Sequence, residues 1–192
     1  MYMDFSVTLN RVNSLEYLFE DDEFKPFDTS EGEPSSIRGS ILVDDKEIGQ
    51  ILLYEIYNDN DFLYCCDRMS GDCAAIASAI CGKSGAVLKK YLCGEAEYNY
   101  IYILDQITIN SQYRNLGIGS AVVKNLLNMI RYQFNEGSTI FLCASDYEAA
   151  HHHGFQSDEY RKGTQQLIQF YTKLGYRVVK DNIMVYNDRR RL

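Results

Sequence analysis

The stretch Gln112-Tyr113-Arg114-Asn115-Leu116-Gly117-Ile118-Gly119-Ser120 is the part of this chain best suited to hold an anion. It lies between an apolar run that reads as a strand and an amphipathic run that reads as a helix. The first turn of a helix leaves backbone N–H groups unpaired and carries about half a positive charge. Two glycines let the backbone approach a phosphate with no side chain in the way. Successive N–H groups from about Leu116 to Ala121 can form an anion nest, and Arg114 adds a cation. Other phosphate loops fit less well. A dinucleotide fingerprint needs a third glycine where Val122 stands. A Walker loop needs Gly-Lys-Ser/Thr, which Cys81-Gly82-Lys83-Ser84 contains, but Ala77 occupies the place of its first glycine. Taken alone, Gly117-x-Gly119 also fits a simple tight turn.

Three further groups could carry chemistry. Asp105 shares strand parity with Ile101, Ile103, Ile107 and Ile109. A regular strand would bury its carboxylate among apolar groups, which is costly without a partner. A bulge at Asp105 would instead turn it into a cleft. Tyr171-Thr172-Lys173-Leu174-Gly175-Tyr176 lies near the C-terminal end. His151-His152-His153 reads as a solvated loop, because three adjacent histidines cannot all face one metal in a regular element; no metal site is expected.

The elements that must position these groups follow from periodicity and turn formers. Asp4 to Leu9 reads as a strand, Val12 to Phe24 as a short helix, and Asp28 to Ser36 as an acidic loop. Ile37 to Val43 and Glu47 to Tyr57 make a hairpin about Asp44-Asp45-Lys46. Ala74 to Leu92 reads as two short helices, since an internal glycine costs about 1 kcal/mol. Tyr98 to Ile109 is the strongest strand. From Ile118, Val122, Val123, Leu126, Leu127, Ile130 and Phe134 form a helical stripe that Gly137 would end. Thr139 to Ala144 is a buried strand. Leu167, Tyr171 and Leu174 mark a helix stopped by Gly175. Tyr176 to Val179 and Ile183 to Tyr186 close the chain as two strands. The layout is α/β, a mixed sheet flanked by helices, in a single domain over residues 1–192.

Composition sets the class. Hydrophobic residues make up 46% of 192 and charged residues 24%, an ordinary globular balance. No apolar run approaches the roughly 20 residues that span a bilayer, and the N-terminus does not read as a secretory signal, so a cytoplasmic address and no membrane partner are expected. The six cysteines contain no Cys-x-x-Cys pair and are expected to be free thiols. A net charge of -8 argues against nucleic acid as the main partner and suits a small cationic substrate such as an amine.

Taken together, Arg114, Gly117 and Gly119 after the strongest strand, and Tyr171-x-x-Leu174-Gly175-Tyr176 downstream, resemble the GNAT N-acetyltransferase superfamily. The clear resemblance covers about residues 99 to 187. It implies a twisted mixed sheet whose fourth and fifth strands splay apart, often at a bulge. It implies acetyl-CoA as the acyl donor, its pantothenyl arm against the backbone of Ile107, Thr108 and Ile109. The pyrophosphate would sit on Leu116, Gly117, Ile118, Gly119 and Ser120, with Arg114 and Asn115 beside them. An N–H near Ile107 or Thr108 would hold the oxyanion, and Tyr171 would be the general acid. Asp105 is the candidate base or substrate anchor, although the family's commonest glutamate position falls near Ile103. The loop with Tyr147, Glu148 and Asp158 would border the acceptor. Thr164 stands where many members carry Asn, which puts one cofactor contact in doubt. The implied activity is acetyl transfer to a primary amine of a small molecule or protein. A toxin-like aminoacyl-tRNA acetyltransferase and an inactive CoA-binding or interaction domain stay open, as does a homodimer.

Overall fold

The computed structural model describes residues 5–12, 34–59, 61–92, 100–134 and 139–187. Of the helix expected at 12–24, Val12 belongs instead to the first strand and the rest lies outside them, as does the stop at Gly137. Seven strands form one mixed sheet: β1 (Phe5–Val12), β2 (Ser35–Val43), β3 (Lys46–Tyr57), β4 (Tyr100–Ile109), β5 (Thr139–Cys143), β6 (Arg177–Lys180) and β7 (Ile183–Asn187). Their order is β1-β2-β3-β4-β5-β7-β6. All neighbours are antiparallel except β4 and β5, which run parallel.

The β2–β3 turn has two residues, Asp44 and Asp45, at φ 49° and 60°. Positive φ at both central positions makes the tight turn whose twist matches a hairpin. Asp and Asn tolerate that conformation better than most side chains.

Among the described residues, four helices cover the sheet on two faces. On one face, α3 (Ile118–Phe134) and α5 (Asp158–Lys173) pack on Ile37, Ile41, Leu53, Tyr102 and Leu104. Val122, Val123, Leu126 and Ile130 of the expected stripe are fully buried there. The side chains of Leu127 and Phe134 lie outside the described set. On the other face, α1 (Phe62–Met69) and α2 (Gly71–Ile80) pack on Tyr54, Ile56, Ile101, Ile103 and Phe141.

This second face departs from the sequence reading. No helix is expected at 62–69, and two are expected within 74–92. Only α2 forms there, ending before a turn in which Gly82 N–H bonds Ala86 O at 2.9 Å. Its intended successor is a single 3-10 turn at Lys89–Tyr91. The glycines end the helix as expected, and the chain after them turns back on it, with Val87 bridged to Cys81 and Leu88 N–H on Ile80 O.

The decisive irregularity is in β4. Leu52 pairs with Gln106 and Leu53 with Leu104, so Asp105 is an extra residue without a partner on β3. A bulge of this kind reverses which residues point to which face. Tyr102 and Leu104 face α3 before it; Ile107 and Ile109 face the same way after it. The four isoleucines therefore do not share one face. Ile101 and Ile103 pack on α2, and Ile107 and Ile109 lie on the α3 side.

Candidate active site

Beyond the bulge the sheet opens. The parallel ladder runs from Ile101–Thr139 to Leu104–Leu142 and stops. From Gln106 to Ile109, β4 pairs with β3 alone, and its other edge pairs with no strand among the described residues, a gap in the ladder. The Thr108 carbonyl points at Gly49 of β3, so close that a Cβ on Gly49 would overlap it. Successive backbone groups alternate sides, which leaves Ile107 and Ile109 turned to the gap. Ile109 O accepts from Arg114 Nε at 2.8 Å on that side.

The glycine loop closes one end of the gap. Asn115 and Gly117 adopt φ 62° and 82°, and the concavity between such left-handed residues gathers N–H groups. Ala121 N–H bonds Gly117 O at 3.1 Å, so Gly117 caps α3. The nest therefore ends sooner than the sequence suggests. Ala121 is already paired, and the first-turn donors are Ile118, Gly119 and Ser120. Ile118 is buried and anchors the turn, while Leu116 is exposed. A Cβ on Gly119 would stand 3.5 Å from Ile109 and 3.7 Å from Phe170, ordinary contacts that join the loop to β4 and α5.

Asp105 lies on the opposite side, against the start of α2. Its Oδ1 accepts from Ser70 Oγ at 3.3 Å. Ser70 also caps α2, accepting from Cys73 N–H at 3.1 Å. Burial, and then the Asp72 carboxylate, raise the Asp105 pKa above the ordinary range, and the Ser70 bond partly opposes them. Asp72 in turn accepts from the Tyr147 hydroxyl. Burial and that bond raise the Tyr147 phenol pKa. Ser70 and Asp72 escaped the sequence reading, because no signal at 62–73 announced a helix whose start would reach β4.

Tyr171 comes from α5 on the α3 side. Its ring is buried between Phe170 and Tyr176, at 5.0 and 5.4 Å. Burial pushes its phenol up to about 12. Tyr171 and Asp105 thus belong to opposite faces of the sheet. The Tyr176 hydroxyl is fully buried and has no hydrogen-bond partner among the described residues.

The histidines are not in a loop. They form the last turn of α4 (Tyr147–His153), all exposed. Asp146 caps this helix by accepting from Ala149 N–H at 2.9 Å, and Gly154 ends it at φ 88°. Helix formers in the first turn and imidazoles near the C-terminal end favour the element. Glu148 pairs with Arg114 at 2.6 Å, tying α4 to the glycine loop. Asp158 pairs with Arg161. Thr164 Oγ1 accepts from Asp146 N–H at 3.3 Å, so its position is structural. Gly163 beside it leaves room for the Asp146 carboxylate, which any Cβ would strike.

No family model matches the chain, and no curated protein matches it. Among solved structures it is similar to a mutant agmatine N-acetyltransferase in its apo form, at 10% identity and a TM-score of 0.48, over 78% of this chain and 75% of that one. It is also similar to the toxin AtaT complexed with acetyl-methionyl-tRNAfMet, at 12% identity and a TM-score of 0.43, over 79% of this chain and 71% of that one. A mutant AtaT bound to the C-terminus of the antitoxin AtaR and acetyl-CoA gives 9% identity and a TM-score of 0.42, over 79% and 67%.

Proposed function

We propose that this chain is a GNAT-type N-acetyltransferase that moves an acetyl group from acetyl-CoA to a primary amine. The observation that carries the reading is the gap between β4 and β5. It starts at a bulge carrying a carboxylate, exposes strand backbone along one edge, and ends at the nest of α3.

In this reading Ile118, Gly119 and Ser120 N–H groups receive the pyrophosphate, and the edge of Ile107 and Ile109 binds the pantetheine amides. The acetyl group then reaches the sheet between Tyr171 on one face and Asp105 on the other. The amine nitrogen attacks the thioester carbon, a C–N bond forms, and the C–S bond breaks. Asp105 takes the proton that the amine loses. Ile107 N–H holds the charge that develops on the carbonyl oxygen. Tyr171, whose phenol carries its proton at neutral pH and is held more firmly protonated by burial, donates to the departing thiolate. An elevated Asp105 pKa brings that carboxylate closer to the basicity a general base needs.

The test is calorimetric titration with acetyl-CoA, CoA and ATP, followed by an amine panel assayed for thiol release. Micromolar binding of both CoA species but not ATP is expected. Equal affinity for ATP, or none for acetyl-CoA, would overturn the reading.

A further inference from the structure

The face of the sheet that carries Asp105 also bears a groove of about 420 Å³, floored by β2, β3 and β4 and lined by Arg38, Ser40, Gln50, Leu52 and Gln106. Its place is fixed by register. Arg38 pairs with Leu52, and Leu52 pairs with Gln106, so the three form one row across three strands. Gln106 follows the bulged Asp105 directly. The β4 end of the groove therefore adjoins the candidate base, which does not itself line it, and Arg38 lies two strand spacings away, or about 10 Å between backbones.

The lining is unequal in charge. Ser40 Oγ and Gln50 Nε2 both donate to the Glu47 carboxylate, at 2.6 and 2.9 Å, so that anion is already engaged at the far rim. Arg38 is exposed, and no described residue pairs with its guanidinium. Burial pushes the phenol of Tyr54, on the same face, up to about 12, with the Asp105 charge adding to the rise and the Arg38 charge opposing it. Leu52 supplies an apolar floor between the two ends.

We infer that the acceptor is a zwitterion: an amine for the Asp105 end, a short apolar stem over Leu52, and an anionic group for Arg38. This rests on the transferase reading for the identity of the amine end. The shared chemistry at the other end is a carboxylate or phosphate that a guanidinium can grip with paired N–H donors. A polyamine fits worse, because its distal cation would meet Arg38. The acidic net charge alone pointed to a cation; the local arrangement separates an amine site from an anion site.

Three matched acceptor pairs test this, each differing in the anion alone: ornithine against putrescine, lysine against cadaverine, and phosphoethanolamine against ethanolamine. Binding to the CoA-loaded protein is followed by calorimetry, and turnover with acetyl-CoA by thiol release. At least one anionic member should bind about tenfold or more tightly than its partner, the range of a charge-assisted bond. Arg38→Gln should abolish that preference, leave ethanolamine and acetyl-CoA binding unchanged, and bind the diamines no more weakly than the parent does. The pair that responds tells carboxylate from phosphate. Equal binding within every pair, no binding by any of them, or a preference that survives Arg38→Gln overturns the inference, while intact acetyl-CoA binding leaves the transferase reading standing. Arg38-dependent binding of a zwitterion without any acetyl-CoA binding would keep the groove and remove the transferase.

Discussion

Gly117→Ala followed by Gly117→Glu probes the anion nest with two separable effects. Gly117 sits at φ 82°, and a Cβ built there meets no heavy atom within 4 Å. Steric clash therefore contributes nothing, and the cost is backbone strain, about 1–2 kcal/mol for an L-residue in the left-handed region. For a chain of this length each kcal/mol lowers the melting temperature by about 2–4 °C, so the alanine variant should melt about 2–8 °C lower. Glutamate carries the same strain and should melt within a degree or two of alanine. Its carboxylate, however, stands at the mouth of the nest. Acetyl-CoA should bind the glutamate variant at least about tenfold more weakly than the alanine variant, an added 1.4 kcal/mol or so. Differential scanning calorimetry reads the first effect and titration calorimetry the second. An alanine variant as stable as the parent would refute the backbone geometry. A glutamate variant that binds acetyl-CoA as well as alanine does would refute the nest.

Tyr171→Phe keeps the buried ring and removes the candidate acid; kcat should fall about 10²–10⁴-fold while acetyl-CoA affinity stays nearly constant, and an unchanged kcat would end the assignment. Asp105 has a folded pKa above its unfolded value of about 3.9, so the native chain holds its proton more tightly and stability falls as pH rises through that window. Asp105→Asn should remove this fall, making the variant more stable than the parent at neutral pH but inactive, as urea melts across the acid range would show. Glu148→Gln breaks an exposed ion pair worth about 0.2–1 kcal/mol, so folding stability should barely move. Freed for phosphate, Arg114 should raise acetyl-CoA affinity about 1.5- to 5-fold, and weaker binding would count against its role. Tyr176→Phe deletes the unpaired buried hydroxyl and should be neutral to stabilising by up to about 1 kcal/mol in a denaturant melt; a loss of that size would mean the hydroxyl has a partner.

Much of this arrangement is legible in the residues. The stripe of Val122, Val123, Leu126 and Ile130 fixes α3, and the strand before it delivers Gly117 and Gly119 to its first turn. Asp105 is the instructive case. Its parity with four isoleucines reads as a burial conflict, and the conflict is resolved by a bulge at that residue. What a single residue's parity cannot give is the consequence downstream, where Ile107 and Ile109 change face. Helix α1 was hidden because its short apolar sequence, Phe62 to Met69, has the length of a strand as well as of a helix. With α1 unseen, Ser70 and Asp72 could not be placed beside β4. The histidines failed for a different reason: their helix is held by Asp146 and Gly154 at its ends, and three polar repeats carry no periodic signal.

The bulge also sets what insertions and deletions this chain can survive. Removing Asp105 would close the β3–β4 ladder without a bulge and leave every pair beyond it unchanged, Gln106 still opposite Leu52 and Ile107 opposite Ile51. Leu104, Gln106 and Ile107 would then alternate as in a regular strand, so Ile107 and Ile109 would keep the α3 side and Gln106 the groove side. A deletion there thus removes the carboxylate and the kink together while sparing the packing beyond, whereas a deletion at Gln106 that kept Asp105 in its place would put a carboxylate opposite Leu52. The extra residue frees a side chain for chemistry without disturbing the faces of the strand beyond it.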